Sequence, residues 1–198
     1  MKPFAALILA AGFSSRMGQL KPLLTLGTET IADHLISTFS ACGADVYFLV
    51  GYRGDEVKSS IKSQGVTIVE NPDYASGMFS SVQAGARALK PGHDAFFIMP
   101  VDIPFVSTDT IRKLMSAYFT HPGKIMYPVF GGRRGHPLLL PASLAPAIAR
   151  WKQNGTLRDV LASYESLVVE ITVPDDNILL DIDTEEDYRT MLERFKSR

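Results

Sequence analysis

The sequence lacks the features that mark several classes of protein. Cys42 is its only cysteine, which excludes an intrachain disulfide and thiolate zinc clusters and suits a reducing compartment. Basic residues number 20 against 21 acidic ones, a formal net charge of −1, so no overall field attracts nucleic acid or an anionic membrane. No apolar run approaches the roughly 20 residues that a membrane span needs. We therefore expect a cytoplasmic protein that binds neither nucleic acid nor membrane.

Short apolar runs alternate with amphipathic stretches along the chain, a pattern typical of a parallel sheet covered by helices. The first run, 4–11, is followed by polar residues without a usable cleavage region, so a buried strand is favoured over a signal peptide. Strands are predicted over 5–10, 44–50, 66–70, 95–100, 124–130, 135–140, 167–173 and 178–182. Helices are predicted over 30–42, 55–62, 80–89, 107–119, 144–151, 157–163 and 184–195. The pattern predicts one three-layer α/β/α, Rossmann-like domain over 1–198 with a mostly parallel sheet.

The loop after the first predicted strand is the first candidate binding site, because ligands of such sheets lie at the carboxyl ends of the strands. Residues 9–21 read LAAGFSSRMGQLK. Gly12 and Gly18 allow a ligand to approach the backbone closely, and Arg16 and Lys21 can hold phosphate oxygens. A basic surface loop is the alternative. The spacing matches neither a P-loop nor the glycine triplet of a dinucleotide fold, which disfavours an NAD(P)-linked oxidoreductase.

Acidic residues follow two of the predicted strands. Asp102 comes after the apolar run 95–100, and Asp181 and Asp183 end the run 178–182. Strand alternation would point Asp181 and Asp183 to the same side. Magnesium prefers one or two carboxylates together with phosphate oxygens and water, so this small set suits it. The alternatives are a loop-stabilising role for Asp102, and for Asp183 a helix start capped by Thr184.

Two further segments carry polar groups that suit ligand binding. Residues 71–81, NPDYASGMFSS, open a predicted helix whose amides and hydroxyls could bind a base edge or a phosphate. Residues 131–137, GGRRGHP, pair arginines with flexible glycines, which suits a phosphorylated acceptor. An ordinary serine-capped helix and a polar hairpin turn are the respective alternatives. The histidines His34, His93 and His121 lack ligand spacing and are expected at the surface or at helix ends.

The loop motif L-A-A-G-x-S-x-R-M-G-x-x-K, followed by Pro22, Leu23 and Leu24, resembles the signature loop of the GT-A-like (MobA-like) nucleotidyltransferases. It is closest to the molybdenum-cofactor cytidylyl- and guanylyltransferases. The resemblance implies the GT-A-type nucleotide-diphospho-sugar transferase fold, with a nucleotide-binding part of about 1–105 and an acceptor-side part of about 106–198. It also implies a loop that wraps NTP phosphates, a metal on Asp102 with Asp183 as second contact, and an acceptor-facing G-H-P segment.

The residues expected in the site follow from the motifs and this resemblance. Those expected to act in catalysis are Arg16, Lys21 and Asp102, and those expected to hold magnesium, with manganese as the alternative ion, are Asp102, Asp183 and Asp181. The expected acceptor-binding residues are Arg134, Gly135, His136 and Pro137. The expected nucleotide-binding residues are Leu9, Ala10, Ala11, Gly12, Ser14, Arg16, Gly18, Lys21, Asn71, Gly77, Met78, Ser80 and Ser81.

The expected reaction transfers CMP from CTP to molybdopterin and releases pyrophosphate. The resemblance favours CTP because cytidylyltransferases read L-A-A-G, as here, whereas guanylyltransferases tend to read L-A-G-G. The alternatives are a molybdenum-cofactor guanylyltransferase, a sugar-phosphate nucleotidyltransferase, and a non-catalytic module that delivers a nucleotide or cofactor to a molybdoenzyme. The expected partners are an NTP, a phosphorylated pterin-type acceptor and, transiently, a recipient molybdoenzyme.

Overall fold

The computed structural model of the 198-residue chain describes residues 3–13, 17–152 and 155–196. The strands are β1 (Phe4–Leu9), β2 (Thr25–Leu26), β3 (Glu29–Thr30), β4 (Ala44–Val50), β5 (Val66–Glu70), β6 (Ala95–Pro100), β7 (Ile125–Phe130), β8 (Arg133–Arg134), β9 (Leu138–Pro141) and β10 (Val168–Thr172). The α-helices are α1 (Ile31–Ala41), α2 (Gly54–Ser60), α3 (Met78–Ala88), α4 (Thr108–Thr120), α5 (Ala145–Arg150), α6 (Leu157–Ala162) and α7 (Glu185–Lys196).

The strands other than β2 and β3 form one mixed, mostly parallel sheet in the described part of the chain. Its order is β10-β7-β9-β6-β1-β4-β5, with β8 paired to β7 outside this path. β1 runs parallel to both β4 and β6, whereas β9 runs antiparallel to β6 and β7. The carboxyl ends of β1, β4, β5 and β6 therefore meet at one edge of the sheet, where the predicted binding segments begin.

The two faces of the sheet belong to two separate hydrophobic cores, which gives the predicted three layers. Along β1, Ala6 and Ile8 pack into the core beneath α1 and α4, whereas Leu7 and Leu9 pack into the core beneath α3, α5 and α6. All four side chains are nearly or fully buried. Because successive side chains of a strand point to opposite faces, a strand covered on both sides must be apolar throughout, as β1 is.

One predicted strand, 178–182, is wrong. The chain instead forms a short 3₁₀ helix, Asp176–Leu179, started by the Asp175 side chain, which accepts hydrogen bonds from the Asn177 backbone and amide nitrogens. Ile178 is fully buried beneath this turn. The alternating apolar residues therefore reflect a buried turn and extended chain, and Asp181 and Asp183 are not related by strand alternation.

Several smaller predictions can be compared with the structure. The helix predicted over 107–119 forms as α4 and is capped by Ser107, whose hydroxyl accepts a hydrogen bond from the Thr110 backbone at 3.1 Å. His93 is buried and lies 3.3 Å from the Tyr47 hydroxyl, so its expected surface position is wrong. β9 also pairs directly with β6, so no break in the sheet marks the boundary predicted near residue 105, which stays a prediction. None of the helices in the described ranges has the length and apolar character to cross a membrane.

Candidate active site

A cavity of about 360 Å³ opens at the carboxyl ends of β1 and β6. It brings together residues from three of the predicted segments: Leu9, Ala10, Ala11, Gly12, Lys21, Gly77, Met78, Ser81 and Asp102. Residues that the sequence analysis did not select also line it: Phe13, Pro22, Tyr74, Ala75, Pro100 and Val101. Three of them, Phe13, Pro22 and Val101, stand directly beside selected positions, and Tyr74 and Ala75 lie within the selected segment 71–81. The segments were therefore informative but did not reveal which residues line the cavity.

Lys21 is presented to this cavity by a well-anchored turn. A 3₁₀ helix, Lys21–Leu23, begins there, with Pro22 at its second position. Leu20 and Leu24, on either side of the turn, are both buried in the core beneath α1 and α4. The Leu24 backbone N–H donates a hydrogen bond to the Lys21 carbonyl. The turn therefore fixes the lysine backbone while its ammonium group extends toward the cavity.

The Lys21 ammonium lies between two carboxylates. Its Nζ is 2.8 Å from Oδ1 of Asp183 and 3.2 Å from Oδ2 of Asp102. Burial lowers the pKa of Lys21, but hydrogen bonds and Coulomb attraction from Asp183 and Asp102 outweigh it and leave the pKa raised. The lysine is thus positively charged at neutral pH, and the side chain is only 12% exposed.

Different elements bring the two carboxylates together. Asp102 follows β6, and its backbone carbonyl accepts a hydrogen bond from Ile182 at 2.8 Å. That bond draws the end of the 176–182 segment to the cavity. Asp187 accepts hydrogen bonds from the Asp183 and Thr184 backbones, while the Thr184 hydroxyl accepts one from Asp187. Thr184 therefore caps α7 as predicted, and the Asp183 side chain is directed to Lys21.

The pair Asp102 and Asp183 suits a divalent cation. Both carboxylates contact the same ammonium group, that of Lys21. A hard ion such as magnesium binds one or two protein carboxylates together with phosphate and water oxygens. Asp181 does not join them. It is exposed and lines a separate cavity with Asp187, Thr190 and Arg194, because the strand that would have aligned it with Asp183 does not form. Across the described ranges, no three His, Cys, Asp or Glu side chains converge as a metal cluster.

Asn71 organises the start of α3 from behind the cavity. Its amide nitrogen donates to the hydroxyls of Ser80 and Ser81, at 2.8 and 3.0 Å. Asn71 is buried and absent from the described cavity lining, and the Ser80 hydroxyl donates to the Gly77 carbonyl. Among these polar groups, Ser81 is the one that lines the cavity. Asn71 and Ser80 are thus placed to orient the helix start rather than to touch a ligand directly.

The predicted acceptor segment lies at the adjoining side of the sheet, and its arginine is engaged elsewhere. Arg134 contacts Glu170 at 2.7 Å and Glu165 at 2.8 Å, and its guanidinium lies 4.8 Å from the ring centroid of Tyr127. The two glutamates raise the pKa of Arg134. These contacts tie β8 to β10, and they occupy the charge that was expected to bind an acceptor phosphate.

His136, in contrast, lies near enough to Asp102 to feel its charge. Burial lowers its pKa, while the Ile98 carbonyl and the Asp102 charge oppose that shift, so the imidazole is neutral at neutral pH. Its Nδ1 is buried without a hydrogen-bond partner in the described part of the chain. Gly135 beside it packs so closely that a side chain there would overlap the Ile178 carbonyl. Pro137 follows through a cis peptide bond.

Two of the predicted phosphate contacts, Ser14 and Arg16, lie outside the described residues. Gly18 is described and has a positive φ of 62°, which favours glycine. Gly12 has no described atom within 4 Å of the position that a β-carbon would take. Gly12 lines the cavity and is uncrowded by the described residues, as close approach by a ligand requires.

The sheet, the loop after β1 and the carboxylate pair define an α/β protein of the nucleotidyltransferase class. The family model described as "MobA-like NTP transferase domain" matches residues 6–168, and the chain belongs to that family. A molybdenum cofactor cytidylyltransferase from Escherichia coli (strain K12) is 34% identical, with 98% of each chain covered. Molybdenum cofactor guanylyltransferases are also similar, at 28–30% identity.

Two more proteins are similar over nearly the whole chain. A nicotine blue oxidoreductase from Paenarthrobacter nicotinovorans is 29% identical, with 93% of this chain and 94% of that one covered. A protein from Mycobacterium tuberculosis H37Rv, solved in complex with manganese, has a TM-score of 0.77 at 23% identity, with 97% and 98% covered. At that identity the structural likeness bears on the fold alone. Taken together, the family and the relatives support a MobA-like molybdenum-cofactor nucleotidyltransferase.

Proposed function

We propose that the chain is a magnesium-dependent enzyme that transfers CMP from CTP to molybdopterin and releases pyrophosphate. The observation that carries this proposal is the position of the Lys21 ammonium between Asp102 and Asp183, beside a cavity that includes Gly12. A lysine and two carboxylates next to exposed backbone amides can hold both a triphosphate and the cation that accompanies it.

The reaction is an in-line displacement at the α-phosphorus of CTP. An oxygen of the acceptor phosphate forms the new P–O bond, the bond between the α-phosphorus and its bridging oxygen breaks, and pyrophosphate leaves with that electron pair. A terminal phosphomonoester has a pKa of about 6 and is mostly ionised at neutral pH. The step therefore needs no general base.

The residues of the chain contribute by positioning and by charge. Asp102 and Asp183 would hold the divalent cation, which when bound supplies positive charge to the phosphate oxygens. Lys21 would then neutralise charge on the leaving pyrophosphate. Arg16 is proposed to assist it, on the strength of the loop motif. Manganese is the alternative ion.

The preference for CTP rests on the sequence L-A-A-G and on the cavity beside it. Both cytidylyl- and guanylyltransferases occur among the relatives, so family membership does not select the base. A β-carbon on Gly51 would lie 2.8 Å from the Ala11 methyl group and 2.6 Å from the Tyr74 β-carbon, so these two residues pack on either side of Gly51. Ala11 lines the cavity and packs beside Gly51 and Tyr74, so we attribute any effect of Ala11 on base choice to this packing.

Two other classes of function, a delivery module and an oxidoreductase, can be distinguished from the proposed enzyme by experiments on this site. A delivery module for a molybdoenzyme would bind nucleotide or cofactor without turnover, and Asp102→Ala would leave its binding intact. The similarity to an oxidoreductase raises hydride transfer, but that chemistry needs no cation between paired carboxylates. A nicotinamide cofactor should accordingly produce no thermal shift. Contact with a recipient molybdoenzyme and a cytoplasmic location stay predictions.

The experiment is pyrophosphate release from each of the four NTPs with magnesium, with and without molybdopterin. We expect release that requires the acceptor, is greatest with CTP and is lost in Asp102→Ala. The surface variant Asp109→Ala serves as the matched control, since Asp109 lies in α4, does not line the described cavity, and has a side chain that is 94% exposed. Release with CTP in the absence of acceptor, or undiminished release in Asp102→Ala, would contradict the proposal.

A further inference from the structure

A second cavity lies beside the candidate active site, and one side chain separates the two. It measures about 260 Å³ and is lined by Val50, Gly51, Gly54, Asp55, Glu70, Asn71, Pro72 and Tyr74. Among the described residues, Tyr74 is the single one that also lines the first cavity. The half-buried Tyr74 therefore forms a wall between a cavity of about 360 Å³ and further space at the ends of β4 and β5.

The first cavity is lined by a charged pair and by an aromatic pair. The Lys21 ammonium lies 3.2 Å from Oδ2 of Asp102, and the ring centroids of Phe13 and Tyr74 lie 5.4 Å apart. A nucleoside triphosphate carries matching groups, since it has anionic phosphates and a base with a π face. Because stacking on an aromatic ring favours any base, the base belongs beside Tyr74 once the phosphates are held by Lys21.

The position of Tyr74 is fixed by close contacts with the ends of β1 and β4. A β-carbon on Gly51 would lie 2.6 Å from the Tyr74 β-carbon and 2.8 Å from that of Ala11. Only a glycine at 51 therefore allows Tyr74 and Ala11 to pack so closely. The rings of Phe13 and Tyr52 flank Tyr74, with centroids 5.4 and 6.2 Å away. The wall is thus held by packing on several sides.

From this arrangement we infer that Tyr74 determines the base preference of the site, by closing the nucleotide cavity to the larger bases of purine nucleotides. The inference rests on the proposed function for the identity of the ligand class, an NTP, and adds the residue that selects within it. Removing the ring joins the two cavities and gives the second ring of a purine a place beyond the wall.

The test measures direct binding of CTP and GTP with magnesium, by calorimetry, in the wild type, Tyr74→Ala and Tyr74→Phe. The wild type should prefer CTP, and Tyr74→Phe, which retains the ring, should keep that preference. Tyr74→Ala should lower the ratio of CTP to GTP affinity by about tenfold, because losing the stacking ring weakens both nucleotides whereas the space it leaves favours only the larger purine. Phe13→Ala is the matched control, because Phe13 contacts the same ring and lines the first cavity alone. It should weaken both nucleotides without changing their ratio.

An unchanged ratio in folded Tyr74→Ala would overturn the inference, as would equal binding of both nucleotides by the wild type. If Tyr74→Ala does not fold, Tyr74→Val keeps an apolar side chain beside Ala11 but does not reach as far as the ring, and the same ratio decides. Binding separates this inference from the proposed reaction. A wild type that binds CTP selectively through Tyr74 but releases no pyrophosphate with molybdopterin would contradict the reaction and leave the role of Tyr74 standing.

Discussion

Replacing Lys21 by methionine should convert the carboxylate pair into a stronger cation site. Without metal, the lysine is the counter-charge of both Asp102 and Asp183. Exposed ion pairs contribute about 0.2–1 kcal/mol, whereas breaking buried ones costs about 3–5 kcal/mol. The lysine is 12% exposed and the carboxylates are 23% and 36% exposed, so solvent screening places this case between those limits. We expect Lys21→Met to lower the unfolding free energy by about 1–2 kcal/mol.

Adding Mn²⁺ should reverse that loss. The variant site carries one more unit of net negative charge and has lost the ammonium that competes for the carboxylates. We expect Mn²⁺ to bind nucleotide-free Lys21→Met about tenfold more tightly than the wild type, a difference of about 1.4 kcal/mol. Because an ion that binds only the folded state stabilises it, saturating Mn²⁺ should restore most of the lost stability. CTP binding should nevertheless stay weaker, since the phosphates have lost the lysine.

The assay is thermal unfolding as a function of Mn²⁺ concentration, together with electron paramagnetic resonance of the unbound ion. Lys58→Met is the matched control: Lys58 also bridges two carboxylates, Asp55 and Glu70, but these are 98% and 69% exposed. It should show little gain in Mn²⁺ binding. If Mn²⁺ binds Lys21→Met no better than the wild type, or no better than Lys58→Met, then Asp102 and Asp183 do not form the cation site.

Three further variants test the packing and electrostatics of the fold around the site. Gly85→Ala should destabilise the protein by about 1–3 kcal/mol in denaturant unfolding, because the new methyl group would lie 2.7 Å from the fully buried Leu7 side chain; unchanged stability would show that Leu7 relaxes. Gly12→Ala should leave stability nearly unchanged, since no described atom lies within 4 Å of the new methyl group, yet weaken CTP binding measured by calorimetry; unaltered binding would mean that no ligand approaches this backbone. Asp175→Asn should be less stable than the wild type at pH 7 but should lose this deficit in acid. Burial raises the pKa of Asp175, but its hydrogen bonds lower the pKa by more, so the pKa lies below the ordinary value of 3.8. The wild-type carboxylate therefore stabilises the fold above pH 3.8 and loses that contribution as the pH falls below it, so a stability difference that is constant from pH 7 to pH 3 would contradict this assignment.

Much of the site was predictable from the sequence because it depends on local patterns. The loop after β1 and the Asp102 that follows β6 lie at the carboxyl ends of neighbouring parallel strands, so their segments had to meet. The cap at Thr184 was likewise visible as a threonine before an acidic first turn. These features need only strand order and helix start signals.

The remaining features depend on contacts between distant residues. Arg134 was expected at an acceptor phosphate, but it pairs with Glu165 and Glu170, more than 30 positions away, and no local signal marks those partners. The strand at 178–182 fails because the Asp175 side chain turns the chain where apolar alternation alone would extend it. Tyr74 can close one side of the cavity only because Gly51, which has no side chain, leaves room for it to pack there.

The proposed reaction moves the α-phosphate of CTP, with its nucleoside, to the acceptor. It can be followed with CTP labelled at either the α- or the γ-phosphorus, incubated with molybdopterin and magnesium, with separation of pterin products from pyrophosphate. We expect the α label in the pterin product and the γ label in pyrophosphate. Recovery of the γ label in the pterin fraction, or of both labels in unreacted CTP, would contradict this reaction.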